Sequence, residues 1–212
     1  MMLFPHIAPA DRESQDKPKQ IAAPSPNFWD PISCEHEEPT PGCLFRVEQD
    51  IKEIERYRVP GIFISAEEHN VTKIHALILG PPGTPYEGGF FHFLIKCPAD
   101  YPHSPPRVRL MTTDAGRVRF GPSFYENGKV CLGLLGTSSY GTTWSSSQCL
   151  GNVLYTIKSL MTNEDPVTLG SGFGVLPALG TWLNDKIRYN TTLQHETIRV
   201  AVCNAVEGCL RG

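Results

Sequence analysis

The sequence predicts an α+β domain in which helices pack on one four-stranded antiparallel sheet. A helical apolar stripe comes first, four short strand-like segments with brief turn-rich links follow, and two more helical stretches come after a long loop. In the first helix Leu44, Val47, Ile51 and Ile54 recur at three- and four-residue steps from Cys43 onward. Arg46, Glu48, Asp50, Lys52, Glu53 and Arg56 fill the positions between, and Pro60-Gly61 is the expected stop. Strand character appears at 62–65 and at 71–79, where Ile74, Ala76 and Ile78 alternate against Lys73, His75 and Leu77. It returns at 90–96, with Phe91, Phe93 and Ile95 on one face, and at 107–110. Such links suit antiparallel pairing, because a parallel crossover needs about a dozen residues or more.

Residues 120–143 fit neither period and read as a long loop, a feature that inside a compact domain is functional or disordered. The helical period resumes over 147–162, with Leu150, Val153, Leu154, Ile157, Leu160 and Met161 on one stripe and Ser145 or Ser146 as N-cap. A glycine-rich link at 170–174 lacks the spacing of a phosphate loop, and a last helix over 191–208 is expected to turn Ile198, Ala201, Val202, Ala205 and Val206 inward.

Ahead of this domain, residues 1–41 hold eight prolines, seven acidic and three basic side chains and few aliphatics, the composition of a disordered tail; the domain proper is 42–212. Phe28 and Trp29 are exceptions, able to dock on the domain or a partner or to remain in solvent. With 19 basic against 22 acidic residues the formal charge is −3, too small for a chain-wide field that would recruit nucleic acid or an anionic membrane. No apolar run reaches membrane-spanning length, and the opening residues do not read as a signal peptide, so the expected location is cytoplasmic, with the nucleus also open. The seven cysteines form no Cys-x-x-Cys pair, and no histidine stands at zinc spacing from two of them, so neither a disulfide framework nor a metal site is expected.

One cysteine is set apart by its neighbours. Cys131 follows an Asn127-Gly128 turn signal and precedes Leu132, Leu134 and Leu135, an arrangement that puts a thiol at the lip of a turn with an apolar anchor behind it. These residues alone leave open both a reactive thiol and a small buried apolar side chain.

Two turn sequences decide the matter. Gly80-Pro81-Pro82-Gly83-Thr84-Pro85-Tyr86-Glu87-Gly88-Gly89 and Tyr101-Pro102-His103-Ser104-Pro105-Pro106 closely resemble the turns that join strands two, three and four in the ubiquitin-conjugating (UBC) family. Further stretches, Phe124 to Leu132, Ser159 to Thr162 and His195 to Cys203, bring the chain nearest to the large Z-type members, and the resemblance covers 43 to about 208. It implies a UBC-like fold with the active cysteine on the long loop. Cys131 then aligns with the thiol that accepts ubiquitin or a related modifier from an activating enzyme as a thioester and passes it to a lysine or to a ligase. No cofactor is implied, since ATP is used by the activating enzyme, and the implied partners are the modifier, the activating enzyme and a ligase, with neither nucleic acid nor membrane. A free thiol with pKa about 8.5 is only a few per cent thiolate at neutral pH, and Lys129 is placed to favour the thiolate if the segment is extended.

The pattern is not complete. The family's His-Pro-Asn, which ends eight residues before the cysteine on an Asn that supports the developing oxyanion or its loop, is here Gly121-Pro122-Ser123, with Asn127 as a substitute donor or simply a turn residue. Loss of an oxyanion donor costs about 2.7–4 kcal/mol elsewhere, so Ser123 predicts slow lysine transfer with loading preserved. The same departure leaves an alternative: a catalytically weakened UBC-like protein acting by binding or regulation. On the implied ligase surface Cys97 replaces an aromatic anchor and Ser145-Ser146-Ser147 follow Trp144, while 137–143 is extra loop beside the cysteine. Arg46, Lys52 and Arg56 are the implied contacts for the activating enzyme, and Asp165, with Glu164 beside it, is the implied carboxylate for the attacking lysine.

Overall fold

The computed structural model describes residues 28–34, 36–162 and 179–211. Strands β1 (Ile62–Glu67), β2 (Asn70–Leu79), β3 (Phe90–Lys96) and β4 (Arg107–Leu110) form one antiparallel meander in sequence order. Residues of alternating polarity put Ile74, Ala76 and Ile78 of β2 and Phe91, Phe93 and Ile95 of β3 on the inner face, where all are buried. The link between β2 and β3 is closed by the Gly80 N–H donating to the Gly89 carbonyl at 2.9 Å. A Cβ on Gly80 would stand 1.6 Å from the Tyr86 carbonyl oxygen, so only glycine lets the turn close this tightly.

Helix α1 (Pro41–Arg56) begins where the Thr40 hydroxyl accepts from the Cys43 N–H at 3.2 Å, with proline in the first turn, and it lays Cys43 and Val47 on the core. It ends at Arg56, ahead of the Pro60-Gly61 stop expected from sequence, where Tyr57 leaves helical geometry. Helix α2 (Leu150–Met161) buries Leu150, Val153, Leu154, Ile157 and Met161 beneath the sheet's inner face. Its N-cap is Cys149, which makes no side-chain cap, and Ser145 and Ser146 lie in the turn before it. The missing cap is supplied from another element: the Leu150 N–H donates to the buried Asp50 carboxylate of α1 at 2.9 Å.

The C-terminal rod runs through α3 (Leu179–Glu196), a π-helical stretch at Thr197–Asn204 and α4 (Ala205–Arg211). Leu193, Thr197, Val200 and Ala201 are buried, a helical face one position away from the expected one, while Ile198 and Val206 are 59% and 47% exposed against expectation. This rod presses on the β2–β3 turn at Gly89, where an added Cβ would lie 2.8 Å from Thr197 Cγ2. The glycine-rich link at 170–174 lies outside the described residues.

Residues 28–34 and 36–40 are ordered, which corrects the expectation that disorder extends to 41. They cross the outer face of β3 and β4, where Trp29 is buried and the Arg109 guanidinium stands 5.9 Å from its ring centre. Arg107 makes a two-pronged contact with Glu37 at 2.9 and 3.0 Å, and Arg109 pairs with Asp30. Proline content misled here because the ordering cost is offset by charge pairs and one aromatic, none of which shows as a period in sequence.

Candidate active site

Beyond β4 the chain makes a flap that ends on Cys131. Isolated bridges join Arg109 to Lys129 and Phe124 to Val130, and the Leu110 N–H donates to the Gly128 carbonyl at 2.8 Å, so the flap continues the sheet beyond its edge. Phe120, Phe124 and Val130 anchor it in the core. The Tyr86 hydroxyl donates to the Phe120 carbonyl at 2.8 Å, tying the flap to the turn motif, and burial pushes that phenol well above its ordinary range. The Asn127-Gly128 turn forms as expected: Asn127 Oδ1 accepts from the Lys129 N–H at 3.0 Å, so Asn127 is occupied as a turn residue. Gly128 sits at φ +88, and a Cβ there would lie 2.6 Å from the Leu110 carbonyl oxygen.

The Cys131 N–H donates to the Ser123 carbonyl at 2.8 Å, so Ser123 is brought next to the cysteine through its backbone. Arg119 braces that side, donating to the Gly121 and Pro122 carbonyls at 3.0 and 3.2 Å and covering the Tyr125 ring at 4.2 Å. Cys131 is half-buried, and Lys129, also half-buried, falls on the same side of this extended segment, opposite the buried Val130. The thiol donates to the Thr137 carbonyl at 3.4 Å. Beside this loop a 400 Å³ groove is lined by Leu134, Thr142, Gln148, Asn152, Tyr155 and Thr156. Burial pushes the Cys34, Cys43, Cys97 and Cys149 thiols up, away from the thiolate.

The remaining sequence candidates divide. Cys97 is 1% exposed inside the core, so it presents nothing to a ligase; the strand before it carries it inward. Ser145, Ser146 and Ser147 are exposed, and Ser146 faces His103 of the Tyr101–Pro106 turn across 3.5 Å, so these two loops do make one surface. Trp144 fixes that surface by donating from Nε1 to the Pro102 carbonyl at 2.8 Å. Arg46 is spoken for internally: it pairs with Asp50 at 2.8 Å and donates to the Ser146 and Gln148 carbonyls at 3.2 and 2.6 Å. Lys52 is 73% exposed with Glu48 at 3.7 Å, and Arg56 is exposed over Tyr57, so these two alone of the three basic candidates face solvent. Asp165 and Glu164 lie outside the described residues.

Sequence reasoning missed Thr137, Arg119 and Asp50. Asp50 left a signal, being an acid one turn from Val47 on the apolar side of α1. Arg119 and Thr137 left none, because both act on backbone carbonyls, which no residue type marks.

Comparison with known proteins agrees with this geometry. Residues 46–170 match the ubiquitin-conjugating enzyme family. The chain is similar to ubiquitin-conjugating enzyme E2 Z of Xenopus tropicalis, 50% identical over 185 residues that make up 86% of this chain and 57% of the relative. It is likewise similar to the proteins of that name from Danio rerio, 48% identical over 85% of this chain and 54% of the relative, and from Homo sapiens, 49% identical over 86% and 51%. The chain thus spans about half the length of these curated relatives. With the meander, the two proline-rich turns and the cysteine flap all inside the matched span, the chain belongs to the ubiquitin-conjugating enzyme family.

Proposed function

We propose that the chain is an acyl carrier in modifier conjugation, with Cys131 as its nucleophile. The observation that carries this is half-buried Cys131, whose backbone N–H is held at a core-anchored flap by the Ser123 carbonyl at 2.8 Å. In loading, the Cys131 sulfur attacks the thioester carbonyl of ubiquitin, or of a related modifier, on the activating enzyme. A new C–S bond forms, the old one breaks, and the enzyme's thiol leaves with the proton. The exchange is close to isoenergetic, which suits a relay. Transfer to a lysine amine then forms an amide, runs downhill, and returns the Cys131 thiol. The chain's own chemistry needs no cofactor; ATP is consumed by the activating enzyme.

Lys52 and Arg56 on α1 are the cations available to an activating enzyme, and the exposed Ser145–Ser147 loop beside His103 is the surface offered to a ligase. Seven free cysteines suit a reducing compartment, cytoplasmic or nuclear. Incubation with activating enzyme, ATP and modifier is expected to give a thiol-sensitive adduct that Cys131→Ala abolishes. The absence of any adduct with ubiquitin and with related modifiers refutes the proposal.

A further inference from the structure

After Cys131 the chain turns through a 3-10 turn at Gly133–Leu135, and Gly136, at φ +66, lets it reverse. Thr137 therefore returns to the cysteine. Its hydroxyl has one proton, which the short 2.6 Å contact to the Val130 carbonyl claims, with the Leu132 carbonyl farther off at 3.1 Å. The same oxygen accepts from the Leu132 N–H at 2.9 Å. Its carbonyl accepts from the Cys131 thiol at 3.4 Å, and its N–H donates to the Leu132 carbonyl at 3.3 Å. One residue thus holds the backbone on both sides of the sulfur and touches the sulfur as well. The rest of the loop keeps it there: a Cβ on Gly133 would lie 2.6 Å from the Tyr140 carbonyl oxygen and 2.8 Å from that of Thr142.

We propose that Thr137 is the positioning residue for Cys131, its hydroxyl clamping Val130 and Leu132 so that the sulfur projects in one fixed direction. Threonine suits this because branching at Cβ restricts χ1 and keeps the hydroxyl aimed without rotamer searching. The sulfur of a thioester carries no proton, so the contact to the Thr137 carbonyl belongs to the free thiol and ends on loading. The hydroxyl clamp lies on the backbone and persists through transfer. Misplacement of a reacting atom by about 1 Å costs on the order of 10²-fold in rate, which is the lever such a clamp controls.

The inference rests on Cys131 as acyl carrier, and the test keeps the two apart. Thr137→Val, which replaces the hydroxyl by a methyl of similar size, is compared in the full chain with Thr137→Ser and the parent. One arm measures discharge of the ubiquitin thioester onto free lysine over a range of lysine concentrations. The other measures iodoacetamide alkylation of each cysteine by peptide mass spectrometry. Thr137→Val is expected to slow saturated discharge about 10- to 100-fold without changing the lysine concentration at half-maximum. Thr137→Ser recovers most of the rate. Cys131 alkylation rises several-fold in Thr137→Val, because a small reagent profits from a loosened thiol, while the buried Cys43 and Cys97 keep the parent rate. Parent-like behaviour of Thr137→Val in both arms overturns the proposal. Acceleration of Cys43 and Cys97 along with Cys131, or failure to fold, also overturns it, because the residue is then one of general stability. If the parent forms no thioester, the functional reading fails by itself, and the alkylation arm still decides the role of Thr137.

Discussion

Replacing Asp50 by alanine should destabilise the fold by about 4 kcal/mol, more than any single surface change. The carboxylate is 3% exposed and accepts from three elements: Arg46 Nε of its own helix at 2.8 Å, the Leu150 N–H at the start of α2 at 2.9 Å, and the Tyr101 hydroxyl of the turn before β4. Burial, reinforced by this carboxylate, pushes the Tyr101 phenol far up, so it stays a donor at every accessible pH. In Asp50→Ala the Leu150 N–H and the Tyr101 hydroxyl lose their acceptor inside the protein, at about 1–3 kcal/mol each. Arg46 keeps the Ser146 and Gln148 carbonyls, so its charge is only partly orphaned. The sum, about 2–6 kcal/mol, is a large share of the roughly 5–15 kcal/mol that holds a typical domain together.

Urea unfolding followed by circular dichroism reads this directly. With a slope near 2 kcal/mol per molar, 4 kcal/mol moves the midpoint down by about 2 M with the slope unchanged. A double-mutant cycle with Arg46→Ala should be strongly non-additive, since the second change removes a partner already lost. A shift below about 0.5 M, or additive effects of the two changes, refutes the view that Arg46 and Asp50 form one internal staple and returns Arg46 to the list of free docking cations.

Charge reversal at Lys52 and Arg56 together should slow loading from the activating enzyme while leaving the melting temperature unchanged; equal loading rates rule these residues out as its contacts. Ser123→Asn should speed discharge of the thioester onto free lysine by up to about 10²-fold, and an unchanged rate removes any oxyanion role from this position. Glu37 is held below its usual value near 4.5 chiefly by its hydrogen bond to Arg107, so the unfolded chain binds the proton first as pH falls. The stability Glu37 contributes is therefore complete above that value and lost as pH drops through the lower folded one. Thermal melts of Glu37→Gln between pH 6 and pH 3 should show a shallower decline than the parent, and parallel curves contradict the pairing. Gly128→Ala forces a φ of +88 on a residue with a Cβ and drives that atom into the Leu110 carbonyl, so it should cost about 1–3 kcal/mol or more and displace the flap. Parent-like stability and Cys131 alkylation would show that the turn tolerates a side chain.

Much of the fold was legible because its cues are local. The period-two segments at 90–96 and 107–110 coincide with β3 and β4, since alternation of large apolar and polar side chains has one solution when a single face is covered. The last helix keeps the helical period but not the expected phase: Leu193, Thr197, Val200 and Ala201 share the buried face, and apolar Ile198 gives a false lead because polar Thr197 takes the inward position beside it. Local rules point to the nearby serines as the cap of α2, but the N-cap position is Cys149 and the capping acceptor is Asp50, 100 positions earlier in the chain.

The site divides along the same line. Cys131 and its turn announce themselves through side chains that stand together in sequence, and the two proline-rich turns that identify the family do the same. What positions the cysteine is written in backbone carbonyls: that of Ser123 from one side, and those of Val130 and Thr137 from the other. Every residue has a carbonyl, so no residue type marks such a contact; the Asn127-Gly128 turn brings the Ser123 carbonyl to the cysteine, and the reversal at Gly136 brings Thr137. Arg46 illustrates the converse error. A cation on a helix face reads as a docking residue when its surroundings are unseen, yet here the guanidinium seals α1 to the turn before α2. The basic side chains worth testing for partners are therefore those whose described neighbours leave them in solvent, Lys52 and Arg56. For the thiol, the groups to vary are those that hold the backbone on either side of it, Ser123 and Thr137.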